Sequence, residues 1–166
     1  MLVEMIYFLG LQVKQLKDGI FINKAKYCKE LLRKFEMDKC RAINTPILTS
    51  CQLDQDHVVK LVDQSKYRGL IGSLLYLSTS RPAIMFVICL CVRYHSDPKE
   101  SHYNAAKRIL IYLQGTKNVA LWYPNIVSLN LTRFSDSDFA GCKIDRKSTS
   151  GTFHMLGWIK SNFLAL

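Results

Sequence analysis

Two carboxylates stand two residues apart in the run Phe134-Ser135-Asp136-Ser137-Asp138. The apolar lead-in from Leu129 to Phe134 reads as a strand, and residues i and i+2 of an extended segment point to the same side. Such a pair can hold a hard divalent cation, usually Mg2+, through oxygen ligands. The ligand supply is thin, because Asp145 is the only acidic residue after Asp138. The competing reading is a polar pair on an exposed loop with no ligand. A second polar cluster follows at Asp145-Arg146-Lys147-Ser148-Thr149-Ser150-Gly151. Arg146 and Lys147 suit contact with a phosphate backbone. The same run also reads as a hairpin turn, with Gly151 free to adopt an unusual backbone angle.

Positive charge is the other chemical resource. The net charge is +10 and the pI near 9.4. A polyanionic partner is the simplest functional reason for that balance; a segment of a larger basic protein would carry the same charge without using it. Lys24, Lys26, Lys29, Arg33 and Lys34 decorate a helix expected over Lys24–Phe35, whose Tyr27, Leu31 and Phe35 repeat at helical spacing. Lys107 and Arg108 lie off the apolar face of a later helix, and Arg68, Arg81 and Arg93 complete the basic set. Each group reads either as a row of phosphate contacts or as a solvated outer face. His57 has Asp54 and Asp56 nearby, a pattern met more often in a solvated loop than at a metal. His95, His102 and His154 lack the partners that catalysis would need. No Ser/His/Asp set and no Gly-rich phosphate loop is present. Cys89 and Cys91, two apart in a helix, face different ways, and no C-x-x-C pair exists, which disfavours both zinc and a disulfide framework. Reduced thiols in an intracellular protein are expected, in the cytoplasm or the nucleus.

Several elements must position these groups. Ile6–Val13 reads as a strand, Lys17-Asp18-Gly19 as a turn and Ile20–Ile22 as a second strand, together a β-hairpin. Thr49–Asp63 reads as a surface linker. A helix from about Gln64 to Leu77 is interrupted at Arg81-Pro82, since the residue before proline is pushed out of the α region. Ala83–Tyr94 is almost wholly apolar and is expected to be buried on most sides, yet it is too short to span a bilayer. No signal peptide or other membrane segment is evident. Asp97 is expected to cap the next helix, with Pro98 at its first position and Glu100 completing a capping box. In that helix Tyr103, Ala106, Leu110 and Leu113 share a face, and Gly115 ends it. Val119–Tyr123, Leu129–Phe134 and Ser150–Leu156 read as strands.

The runs YRGLIGSLLYLSTSRP, KESHYNAAKRILIYLQGT and FSDSDFAGCKIDRKSTSG, in that order, resemble the Pol polyprotein of copia-type LTR retrotransposons. The resemblance covers about Phe8 to Gly157 and points to the C-terminal part of reverse transcriptase running into the start of RNase H. It implies an α+β fold: a β-hairpin and helix, a central helical thumb- or connection-like segment, then an incomplete RNase H-like α/β sheet. Residues 1–48 would end the palm, 49–63 would be a linker, 64–116 the thumb-like helices and 117–166 the RNase H-like start. RNase H chemistry uses two metals about 4 Å apart, and the resemblance places its first catalytic aspartate at Asp136, with Asp138 beside it. The family's other RNase H carboxylates and its paired palm aspartates have no counterpart among these residues. The family also often has an acidic residue after the proline, where this chain has Ala83. The expectation is therefore a partial Pol segment with neither activity, and Mg2+ as the parent family's cofactor. Lys107, Arg108, Arg146 and Lys147 are the expected contacts to an RNA–DNA hybrid or duplex. Two other readings stand: a non-catalytic basic nucleic-acid-binding module, and a surface that binds other Pol chains.

Overall fold

Strand-forming residues open the chain, but the expected single strand Ile6–Val13 is broken. A computed structural model describes residues 5–47, 53, 61–125, 131–137, 146, 148, 150–156 and 163–165. In it β1 (Tyr7–Phe8) and β2 (Leu11–Leu16) pair antiparallel across a two-residue turn. Leu9 and Gly10 have φ of 47° and 77°, the positive values that a tight hairpin turn of this kind requires. An added Cβ at Gly10 would also meet the Tyr76 hydroxyl, the far end of an exposed side chain that would have to shift. β2 then pairs with β3 (Gly19–Asn23) across Lys17-Asp18, as the sequence predicts.

α1 (Ala25–Lys34) starts without a capping side chain at Lys24. Its first free N–H groups are met by neighbours instead. Asn23 Oδ1 accepts from Ala25 N at 3.1 Å, and Gln12 Oε1 on β2 accepts from Lys26 N at 2.9 Å. The helix is thereby fixed to the sheet. Its apolar side, Cys28, Leu31 and Leu32, is buried.

α2 (Gln64–Ser78) begins where Asp63 accepts from Ser65 N and Lys66 N, a conventional N-cap. It ends before a short 3-10 turn, Pro82–Ile84, which leads into α3 (Met85–Val92). The interruption at Arg81-Pro82 matches the sequence expectation. The burial of α3 does not. Ile84, Val87, Ile88 and Cys91 are buried, whereas Met85, Phe86 and Cys89 are exposed, Phe86 by 59%. α3 meets α2 on one side and α4 (Glu100–Gly115) on another, and its remaining side has no described neighbour.

The start of α4 also differs from expectation. Asp97 does not cap it; its carboxylate pairs with Lys99 Nζ at 2.9 Å. His102 Nδ1 accepts the Lys99 backbone N–H at 3.0 Å, the role a glutamate plays in a capping box. His102 is fully buried and stacks on Tyr94 at 3.7 Å. The face Tyr103, Ala106, Leu110 and Leu113 is buried, as its spacing predicts. Together α1 to α4 enclose one apolar core centred on Tyr67, Leu70, Leu74, Ile88, Ile109 and Leu110. Tyr67 donates its hydroxyl to Cys91 O at 2.7 Å. Burial, reinforced by Cys91, pushes that phenol far above its ordinary value.

β4 (Val119–Pro124) was expected to open a separate sheet. It pairs instead with β3, Ile22 facing Leu121, and Phe21 packs on Trp122 with ring centres 4.3 Å apart. β7 (Phe163–Ala165) pairs with the far side of β4, completing an antiparallel sheet of order β1-β2-β3-β4-β7. β5 (Leu131–Ser137) and β6 (Ser150–Leu156) form a separate antiparallel pair. The architecture is mixed helix and antiparallel sheet. Among the described residues no helix is long and apolar enough to cross a membrane.

Candidate nucleic-acid interface

Helical geometry divides the side chains of α1. Cys28, Leu31 and Leu32 turn into the core, which leaves Lys26, Lys29, Arg33 and Lys34 exposed along the other side. Glu30 is the only acidic residue of the helix. Arg33 and Lys34 lie in the last turn, where the helix dipole favours cations.

Lys24 was expected to belong to this row, and it does not. It is 3% exposed, its Nζ donates to Tyr76 O at 2.6 Å, and it lies 3.3 Å from the centre of the Tyr76 ring. Burial lowers its pKa from the ordinary lysine value. Position explains the difference: Lys24 lies between β3 and α1, facing the end of α2, whereas Lys26 has turned outward.

Across from the outer end of α1 lies the end of α4. Between them is a cleft of about 310 Å³ lined by Lys29, Leu32, Arg33, Asp38, Gln114 and Lys117. Three of these side chains are cationic and one is acidic. None of the three cations forms an ion pair with another described residue. Gln114 Nε2 donates to Asp38 O, which fixes the orientation of the amide, and Gln114 Oε1 is buried with no hydrogen-bond partner among the described residues. Behind the cleft, burial raises the pKa of the Cys28 thiol, while Arg81, Lys117 and Lys29 pull it the other way. Nothing in the sequence marks Gln114 and Lys117 as neighbours of α1; only the packing of α4 brings them there.

Lys107 and Arg108 are less available than their positions suggest. Both are half-buried. Lys107 Nζ lies 4.7 Å from the centre of the Tyr103 ring, which Lys66 approaches at 5.7 Å. Arg108 Nη2 donates to Thr45 Oγ1 at 3.2 Å, tying α4 to the segment after α1. Arg81 is not a surface group at all. It is 4% exposed, its Nη2 donates to Lys117 O at 2.7 Å, and burial lowers its pKa. Arg68 and Arg93 are exposed, and Arg68 Nε donates to His95 O at 3.3 Å.

Of the carboxylate pair, Asp136 lies in β5 opposite Gly151 of β6, one residue before the strand ends. Asp138 and Lys147 lie outside the described residues, as does His57 with Asp54 and Asp56. Arg146 is exposed with φ of 56°. Among the described residues no three His, Cys, Asp or Glu side chains cluster as a metal site would.

No family profile matches the chain, and no solved structure matches it. Curated proteins do. The retrovirus-related Pol polyprotein from transposon RE1 of Arabidopsis thaliana is 36% identical over 154 residues, covering 93% of this chain and 10% of that protein. The corresponding polyprotein from transposon RE2 of the same plant is 34% identical, again over 93% of this chain and over 11% of its own length. The homologues of this chain are Pol polyproteins of copia-type transposons. The chain spans about a tenth of the length of those two polyproteins. An uncharacterised Arabidopsis mitochondrial protein, AtMg00810, is 34% identical over 91% of this chain and 62% of its own length. Both the basic side of α1 and the cleft beside α4 are thus features of a Pol segment.

Proposed function

We propose that this Pol segment grips nucleic acid without performing chemistry on it. It would supply the thumb-like helices of a reverse transcriptase and the first strands of an RNase H. The observation that carries the reading is the basic row Lys26, Lys29, Arg33 and Lys34, which has no ion-pair partner among the described residues, continued by Lys117 across the cleft. Cations held on a rigid helix displace counterions from a phosphate backbone, an affinity that depends on salt and hardly on sequence. The net charge of +10 supports a polyanionic partner.

The test is binding to an RNA–DNA hybrid across a salt series, with Mg2+ present and cleavage followed in the same samples. Saturable binding that weakens with salt, without cleavage, is the expected result. Absence of binding at low salt refutes the grip. Cleavage that is lost in Asp136→Asn refutes the silent site.

A second reading, association with other Pol chains, has its own observation. Tyr7, Phe8 and Leu9 around β1 are exposed, as are Tyr76, Met85 and Phe86. Exposed apolar groups of this kind promote association, and gel filtration distinguishes the two readings.

A further inference from the structure

β1 is the first strand of its sheet, and no described strand pairs with its outer side. Its inner side is accounted for. The hairpin closes with Phe8 opposite Leu11, and Ile6 O accepts from Val13 N at 2.8 Å. Inward and outward backbone groups alternate along an antiparallel pair, so Met5 and Tyr7 turn their N–H and C=O groups to the open side. The run Met5-Ile6-Tyr7-Phe8-Leu9 contains no charged residue and no proline, the usual devices that keep an edge from pairing. The side chains supply a surface to match. All five are exposed, Leu9 by 79%, and the exposed Tyr76 joins them by donating its hydroxyl to Leu9 O at 3.4 Å. At about 200 Å² for a large apolar side chain, these six residues expose roughly 700 Å². The largest apolar patch of an ordinary monomer is about 300–600 Å², whereas a stable complex covers about 800 Å² on each partner.

We propose that β1 pairs antiparallel with β1 of a second copy of this chain, about a two-fold axis at Ile6, and so joins two five-stranded sheets edge to edge. Met5 then exchanges both of its backbone hydrogen bonds with Tyr7 of the second copy, and Ile6 meets its equivalent. A two-fold contact needs one surface that complements itself. This edge does so, because the same two outward residues supply donors and acceptors to each other. The proposal rests on the reading that the segment associates with other Pol chains, and it fixes both the surface and the partner. It uses none of the cations of α1.

The experiment is sedimentation velocity of the full chain, free of nucleic acid, across a range of protein and salt concentrations. A monomer–dimer equilibrium is expected. Each copy carries a net charge of +10, so the dimer should tighten as salt screens the repulsion, the opposite of the trend for a phosphate backbone. Ile6→Lys places two like charges on the axis and should raise the dimer dissociation constant at least about tenfold. Phe86→Lys, on the exposed side of α3, should leave it within about twofold. Melting curves check that both variants fold. Amide exchange at Tyr7 should slow in the dimer, where its N–H gains an acceptor. A dimer that Ile6→Lys leaves unchanged, or one lost in Phe86→Lys instead, overturns the β1 proposal and leaves association standing. Growth beyond a dimer overturns the two-fold. A chain that stays monomeric at every concentration and salt overturns both the proposal and the association reading. The gripping role is read separately, because Ile6→Lys removes none of the cations of α1.

Discussion

Lys24 and Lys26 are two residues apart, carry the same charge and should fail in opposite ways. Lys24 Nζ donates to Tyr76 O at 2.6 Å and sits 3.3 Å from the Tyr76 ring centre. A hydrogen bond from a charged donor contributes about 1.5–3 kcal/mol, and a desolvated cation–π contact about 2 kcal/mol. The two share one ammonium and do not add. The cost of burying that ammonium offsets part of them. Tyr76 O also accepts from Thr79 Oγ1 at 3.1 Å, so no acceptor is orphaned when Lys24 is lost. Lys24→Met keeps the length of the stem and should destabilise by about 2–3 kcal/mol. At about 2–4 °C per kcal/mol for a chain of this size, the melting temperature should fall by about 4–12 °C. The salt dependence of hybrid binding should not change. Lys26→Met should do the reverse: little change in melting, because its helix contact to Gln12 is through the backbone, and a salt slope shallower by about 0.9. The assays are urea or thermal unfolding and anisotropy across a salt series. A Lys24→Met protein as stable as wild type, or one with a reduced salt slope, would refute the assignment of Lys24 to the interior.

Tyr67→Phe removes a buried hydroxyl that donates to Cys91 O at 2.7 Å, and should cost about 1–2 kcal/mol in urea unfolding. Gly10→Ala should cost more than 1 kcal/mol, because φ there is 77° and the new Cβ meets Tyr76; a circular-dichroism melt measures it. His95 has its pKa lowered, first by burial and then by Arg68. The unfolded chain then binds the extra proton, so stability should fall as pH drops below about 6.5 and level off beneath the folded-state value. His95→Gln should flatten that part of the pH–stability curve, read from urea midpoints between pH 7.5 and 4.5.

The helices were legible because their signals are local. Pro82 after α2 and the spacing of Tyr103, Ala106, Leu110 and Leu113 depend on residues within a few turns of one another. Periodicity also set Tyr27, Leu31 and Phe35 apart from Lys26, Lys29 and Arg33 on α1, but it missed Cys28, which is buried while Tyr27 and Phe35 are only partly so. It failed at Lys24, because residue type alone cannot show that a lysine stem reaches the ring and carbonyl of Tyr76. It failed at α3 for the converse reason: an apolar run states what can be buried, not how many neighbours exist to bury it. Asp97 has the right type and spacing for a cap, but a nearer cation, Lys99, takes its carboxylate. The cleft was invisible in the sequence, since Lys117 and Gln114 meet Lys29 and Arg33 only through tertiary packing.

The pairing of β3 with β4 turns the helical region into a closed excursion. The chain leaves the sheet at Asn23, builds α1 to α4 and returns to the adjacent place at Val119. The ladder between these strands joins residues separated by the whole helical region, and the entropy of closing so long a loop must be met before any of its hydrogen bonds form. Local helix contacts carry no such requirement. Folding should therefore proceed in order, with the helices condensing first and β4 docking last. Proteolytic nicking between β3 and β4 should leave the two pieces associated, held by the sheet on one side and the helical core on the other. Expression of the first 116 residues alone would instead leave the edge of β3 unpaired, a template for the strand of another chain.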